Sequence, residues 1–278
     1  MPELPEVETV CRGLATHLVG RRILEVLVRR HDLRQPIPQD LAARLSGRAV
    51  ERIGRRAKYM LWHLHDGTVV IGHLGMSGVV RVQPADGPEA PVGTHDHVLL
   101  RLDDGARVVW SDPRRFGLLV LSTEATLAQH PLVKDLGPEP LQPEFSPKQL
   151  LAALSRKQVP LKAALLDQKL VAGLGNIYVS EALFRAGLSP ERIASTLDRP
   201  RAARLHAAIQ AVLTEAIESG GSTLRDYVRV SGESGGFQHR FHVYDRADQP
   251  CPRPGCRGTI RRTVQAGRST YACSRCQR

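Results

Sequence analysis

Four of the chain's five cysteines fall in its last 28 residues, as Cys251, Cys256, Cys273 and Cys276. Four residues separate the first pair, two the second, and sixteen lie between the pairs. Two knuckles spaced this way bring four thiolates to the corners of a tetrahedron around Zn²⁺. A tail this short has little core of its own, so the metal carries its folding. Thr259 to Thr263 and Ser269 to Ala272, with Gly267 between them, suit the two strands of a β-hairpin. The expectation is a zinc ribbon with one structural Zn²⁺, its first knuckle widened and stiffened by Pro252 and Pro254. Clustered cysteines in a chain with one left over do not form a disulfide framework and point to a reducing compartment. The remaining thiol, Cys11, falls on an apolar helix face and reads as a small buried hydrophobe.

Upstream, the hydrophobic pattern changes period once. Val7, Val10, Cys11 and Leu14 make one helical stripe, with Pro5 and Glu6 suited to the first turn and Gly20 to the stop. Short β-like runs follow at 23–28, 59–64, 68–74, 79–82, 98–102, 108–110 and 118–121. Asp66-Gly67 and Asp104-Gly105 are placed as hairpin turns. This predicts a β-rich domain, a sandwich or barrel, over residues 1–130. A proline-rich linker is expected over 131–146. Helical periodicity then takes over, from Leu150 to the stripe Leu205, Ile209, Val212, Leu213 and Ala216. Residues 231–238 read as a loop. The fold class expected is α+β.

Lys and Arg number 39 against 28 Asp and Glu, a net charge of +11. Cations on phosphates release counterions, so this balance suits a nucleic acid. Charge alone leaves a solubility surface, or adhesion to ribosome or membrane, as competing readings. No apolar run approaches the roughly 18 residues a membrane span needs. The N-terminus lacks the basic and apolar regions of a secretory signal. A cytoplasmic, nucleoid-associated monomer is expected.

A proline follows Met1, and removal of the initiator methionine is expected to free it. Internal prolines carry an amide nitrogen; a terminal one is a secondary amine, able to attack a sugar C1′ and form an iminium electron sink. By itself this is a weak signal.

The run Met1-Pro2-Glu3-Leu4-Pro5-Glu6-Val7-Glu8-Thr9-Val10 resembles the N-terminal signature of the bacterial formamidopyrimidine-DNA glycosylases. So do Arg55 to Tyr59, His73 to Gly78, His95-Asp96-His97, Asp112 to Gly117, Leu136 to Leu141 and Gly173 to Tyr178, in the family's order. The resemblance implies a β-sandwich-like N-terminal domain with flanking helices. A helix–two-turn–helix module with a lesion-recognition loop is implied over 147–240, and the zinc ribbon over 241–278.

It also implies roles. Pro2 is the nucleophile and Glu3 the general acid at the ring oxygen. Lys58 is a proton donor during elimination, and Arg268 grips phosphate in the second elimination. Met76, Arg114 and Phe116 fill the stack that an extruded nucleotide vacates. His95, Lys157 and Asn176 contact DNA. Glu6 is open between helix-dipole partner and catalytic contact. The implied activity is excision of oxidised purines (8-oxoguanine and formamidopyrimidines) from duplex DNA, followed by β- and δ-elimination. Two alternatives are kept. An endonuclease VIII-like enzyme for oxidised pyrimidines is disfavoured by Leu4 and the Val7-Glu8-Thr9 run. A non-catalytic zinc-ribbon DNA-binding protein is disfavoured by the intact Pro2, Glu3 and Lys58.

Overall fold

The computed structural model describes residues 1–87, 91–223, 230, 232 and 234–278, in an α+β architecture. The chain forms two compact units. One comprises Met1–Lys134 with Ser219–Gly236, the other Asp135–Glu218 with Phe237–Arg278.

The first unit opens with helix α1, Leu4–Leu18, whose Leu4, Val7, Val10, Cys11, Leu14 and Leu18 are buried. Eight strands follow: β1 Ile23–Val28, β2 Val50–Arg56, β3 Tyr59–Leu64, β4 Thr68–His73, β5 Val79–Gln83, β6 Asp96–Leu102, β7 Arg107–Ser111 and β8 Leu118–Thr123. They make two antiparallel four-stranded sheets, ordered β1-β6-β7-β5 and β2-β3-β4-β8. Hairpins β3–β4 and β6–β7 turn at Gly67 and Gly105, whose φ of 80° and 87° is the left-handed geometry that the Asp-Gly pairs anticipated. A single core joins α1 to both sheets, through Leu14, Leu18, Ile23, Met60, Trp62, Leu100 and Trp110. Each such side chain contributes about 1.5–3 kcal/mol by leaving water.

Two elements escape the periodicity reading. Strand β2 sits at a sheet edge and reads Val-Glu-Arg-Ile-Gly-Arg-Arg, so few of its positions are apolar. Helix α2, Leu41–Leu45, is too short to display a period. Cys11 is buried as expected. Its thiol donates to the Gly54 carbonyl at 3.3 Å, and burial pushes its pKa up to about 12, which leaves it unreactive.

The second unit holds α3 Pro147–Leu154, α4 Leu161–Leu166, α5 Asn176–Ala186 and α6 Arg199–Glu218. A reciprocal Ser146–Gln149 capping box starts α3. Gly187, with φ 70°, ends α5. The predicted stripe on α6 is buried throughout. The tail forms a hairpin, β9 Ile260–Gln265 and β10 Arg268–Cys273, turned through Ala266 and Gly267. Its small core of Val243, Ile260 and Tyr271 is completed by Phe184 from α5. Among the described residues no helix is long and apolar enough to cross a membrane.

Candidate active site and nucleic-acid interface

Pro2 and Glu3 precede α1 and are buried, with Met1 about half exposed. Glu3 is the N-cap residue. Its N–H donates to Glu6 Oε2 at 2.8 Å. The other oxygen of Glu6 accepts from Ser222 twice, from N–H at 2.8 Å and from Oγ at 3.0 Å. The side chain left open between two roles is therefore a brace. It ties the backbone beside Pro2 to a segment more than 200 residues away. Gly221, with φ 78°, lies against it, and a Cβ there would come within 3.1 Å of Glu6.

The β2–β3 turn carries Lys58. Ala57 takes a φ of 52°, and the turn is held by Arg55, which donates to the Ala57 carbonyl at 2.9 Å and to Glu8 Oε2 at 2.8 Å. Burial pushes the Glu8 carboxyl up, but bonds from Arg55 and Arg12 outweigh it and hold the group below the ordinary carboxylate range. Lys58 is only 6% exposed, so it is no solvated surface charge. Its field reaches His73 at the end of β4. Burial, then Lys58, then Arg34 depress that imidazole to about 4. His73 Nδ1 accepts the Gly75 N–H at 2.9 Å, which leaves the proton of the neutral ring on Nε2. Arg34 and His73 thus join Lys58 in a positive, donor-rich cluster suited to an anion. His73 lay inside one of the resembling blocks without a role; its surroundings are visible only in three dimensions.

Met76 and Phe116 sit on exposed loops, at 40% and 44% exposure, and neither is a core residue. The Arg114 guanidinium lies 4.7 Å from the centre of the Phe116 ring. The two loops touch, because a Cβ on Gly75 would fall 2.3 Å from the Phe116 carbonyl carbon. His95 is exposed next to them, its carbonyl accepting the Asp112 N–H at 3.0 Å. The fold thus gathers Met76, Arg114, Phe116 and His95 from three stretches of chain.

In the second unit, the turn Gly173-Leu174-Gly175 leads into α5, with Asn176 as its first residue. Asn176 Nδ2 donates to the Ser269 carbonyl at 2.9 Å. Lys162, unremarked in the sequence, is 1% exposed and donates to the same carbonyl at 2.8 Å and to Thr270 Oγ1 at 2.6 Å. The start of β10, where Arg268 stands exposed, is thereby pinned to α4 and α5. Lys157 is half exposed and lies 3.5 Å from Asp167. Part of the 231–238 loop, Ser231 and Glu233, lies outside the described residues.

The four tail cysteines are unbridged, and their sulfurs lie within 4.8 Å of one another. Cys251–Cys276 and Cys256–Cys273 are each 3.7 Å apart at sulfur. A tetrahedral site with Zn–S of about 2.3 Å has edges of about 3.8 Å, so the cage fits zinc. The Gly258 N–H points at Cys256 Sγ, 3.4 Å away, and a Cβ on Gly258 would fall 2.5 Å from Cys273 Sγ.

Three family models match the chain in order. Residues 1–119 match the formamidopyrimidine-DNA glycosylase N-terminal domain, 136–228 its H2TH domain, and 248–278 the zinc finger found in FPG and IleRS. The formamidopyrimidine-DNA glycosylase of Beijerinckia indica is 55% identical over 288 residues, and that of Acidiphilium cryptum 56% over 282, each covering both chains fully. Among solved structures, wild-type Lactococcus lactis Fpg in complex with N7-benzyl-Fapy-dG DNA superposes with a TM-score of 0.90 at 34% identity, over all of both chains. The same bacterium's Fpg with abasic-site DNA gives 0.89 over 99% of each.

Proposed function

The chain belongs to the formamidopyrimidine-DNA glycosylase family, and from that premise we propose how its residues divide the work. It is a base-excision-repair enzyme that removes oxidised purines from damaged DNA, with the strand-cleaving lyase activity general to the family and one structural zinc ion in its ribbon.

Once Met1 is removed, the Pro2 nitrogen attacks C1′ of the extruded nucleotide. The glycosidic bond breaks and the base leaves with its electron pair. Glu3 protonates the ring oxygen as the C1′–O4′ bond opens, and loss of the amine proton leaves an iminium. Loss of a C2′ proton then expels the 3′ phosphate, and loss of a C4′ proton expels the 5′ phosphate. Lys58 transfers protons in these eliminations, and Arg268 holds phosphate for the second. Met76, Arg114 and Phe116 occupy the emptied stack, while His95, Asn176 and Lys157 hold the backbone. Lys157 must leave Asp167 to do so. We place the chemistry in residues 1–130, DNA gripping in 147–240 and 241–278, and the working enzyme on the nucleoid.

The observation that carries this reading is the buried Pro2-Glu3 pair, set at the head of α1 by Glu6. Borohydride with an 8-oxoguanine duplex is expected to trap a covalent adduct in wild type and far less in Pro2→Gly. Full trapping and turnover by Pro2→Gly would overturn the nucleophile assignment. Cleavage of 8-oxoguanine paired with cytosine is expected to exceed cleavage of thymine glycol.

A further inference from the structure

The exposed tips at Met76 and at Arg114–Phe116 share a single buried carboxylate. Asp112 has no exposed surface. Its Oδ1 accepts from Ser77 Oγ at 2.8 Å and its Oδ2 from the Gly117 N–H at 2.7 Å. Its backbone is tied as well. The N–H donates to the His95 carbonyl at 3.0 Å, and its carbonyl accepts from His97 Nε2 at 2.8 Å and from the Arg115 N–H at 3.2 Å. Ser77, having given its proton to Asp112, accepts the Arg114 N–H at 3.2 Å. Three stretches of chain (74–78, 93–97 and 112–117) therefore converge on two buried residues, Ser77 and Asp112.

This network also sets unusual backbone. Arg115 takes a φ of 58°, a left-handed geometry an arginine seldom adopts. It closes the Asp112–Arg115 turn, between Arg114 and the Phe116 ring on which that guanidinium lies. Gly78 donates back to the Leu74 carbonyl at 2.8 Å, closing the Met76 loop on itself. Left to itself, each loop is a flexible tip; bonded through Ser77 and Asp112, the two are one body.

We propose that Asp112 and Ser77 are positioning residues that lock the Met76 and Arg114–Phe116 loops into a single rigid wedge, so that nucleotide extrusion and stack filling occur as one step. The inference rests on the reading that those three residues enter the stack. Asp112 and Ser77 touch neither lesion nor sugar. Their effect is confined to substrates whose stack must be opened, because a wedge held in place spends no binding energy on ordering itself.

Ser77→Ala removes the bridge between the loops and leaves the Asp112–Gly117 bond. Asp112→Asn turns one acceptor into a donor facing Ser77 or Gly117. Single-turnover excision of 8-oxoguanine paired with cytosine is expected to slow about 30-fold in Ser77→Ala, and at least as much in Asp112→Asn. The fluorescence change of a 2-aminopurine beside the lesion, which reports insertion, is expected to slow in parallel. Borohydride trapping on single-stranded abasic DNA, which has no stack to open, is expected to stay within twofold of wild type. Equal slowing on both substrates, or wild-type rates on the duplex, overturns the proposal. If Asp112→Asn fails to fold, Ser77→Ala carries the test. Phe116→Ala separates the two layers: wild-type duplex kinetics there defeat the wedge reading itself, whereas a slow Phe116→Ala beside a fast Ser77→Ala defeats only the positioning role.

Discussion

His73 offers a measurement whose size follows from its surroundings. The ring is buried at the end of β4, and desolvation with the charges of Lys58 and Arg34 lowers its pKa from 6.5 to about 4. A folded histidine that resists protonation costs the fold stability wherever the unfolded chain would take the proton. The sign is therefore fixed. Stability is complete above about pH 6.5 and falls as the pH drops through that value towards 4. With these two values the linkage relation gives a loss of about 2 kcal/mol at pH 5, and about 3 kcal/mol once the pH is below both. His73→Asn does not titrate and keeps an acceptor for the Gly75 N–H. Urea unfolding at pH 7.5 and pH 5 is to be followed by tryptophan fluorescence. The chain's two tryptophans, Trp62 and Trp110, both lie in the core of the first unit, so the signal bypasses the acid-sensitive zinc ribbon. Wild type is expected to lose about 2 kcal/mol more than His73→Asn between the two pH values. Lys58→Met is expected to raise the His73 pKa in an NMR titration. A His73 resonance titrating near 6.5, or identical pH losses in wild type and variant, would refute the reasoning.

Two further outcomes follow from the geometry. Cys273→Ser removes a wholly buried thiolate from the zinc cage, whose metal supplies roughly 10 kcal/mol or more of ribbon folding. Zinc content is expected to drop and affinity for an abasic-analogue duplex to fall at least tenfold by anisotropy, with tryptophan-monitored stability of the first unit unchanged. Unaltered affinity would count against a DNA-gripping ribbon. Gly75→Ala places a methyl 2.3 Å from the Phe116 carbonyl carbon at a φ of 62°. The loops must separate, at a cost of about 2–4 kcal/mol, readable in the same urea assay; a cost under about 0.5 kcal/mol would mean that the loops are not in contact.

Elements with their own local signal were legible in the chain: the α1 stripe, the Asp-Gly hairpins, the α6 stripe and the ribbon. Each depends on contacts within a few residues or on a metal whose ligands are chemically distinctive. Strand β2 was not, because an edge strand need bury little, and its Arg55 also serves the turn beside Lys58. The candidate chemical residues were legible as ordered motifs, yet what holds them was not. Nothing near Ser222 in sequence announces that its N–H and hydroxyl meet Glu6, and a lysine following two arginines gives no hint of 6% exposure.

The motifs themselves carry a physical reason for occurring together. Ser77 belongs to the block His73 to Gly78, His97 to the block His95 to His97, and Asp112 to the block that ends at Gly117; in the folded chain Ser77 bonds the Asp112 carboxylate and His97 its main-chain carbonyl. Removing either Ser77 or Asp112 leaves a buried donor or acceptor of the other block unpaired, at about 1–3 kcal/mol each. An isolated Gly-rich turn or a Met-Pro start is weak evidence because it makes no such demand on the rest of the chain. The same bonds shape the two loops on which Met76 and Phe116 stand exposed.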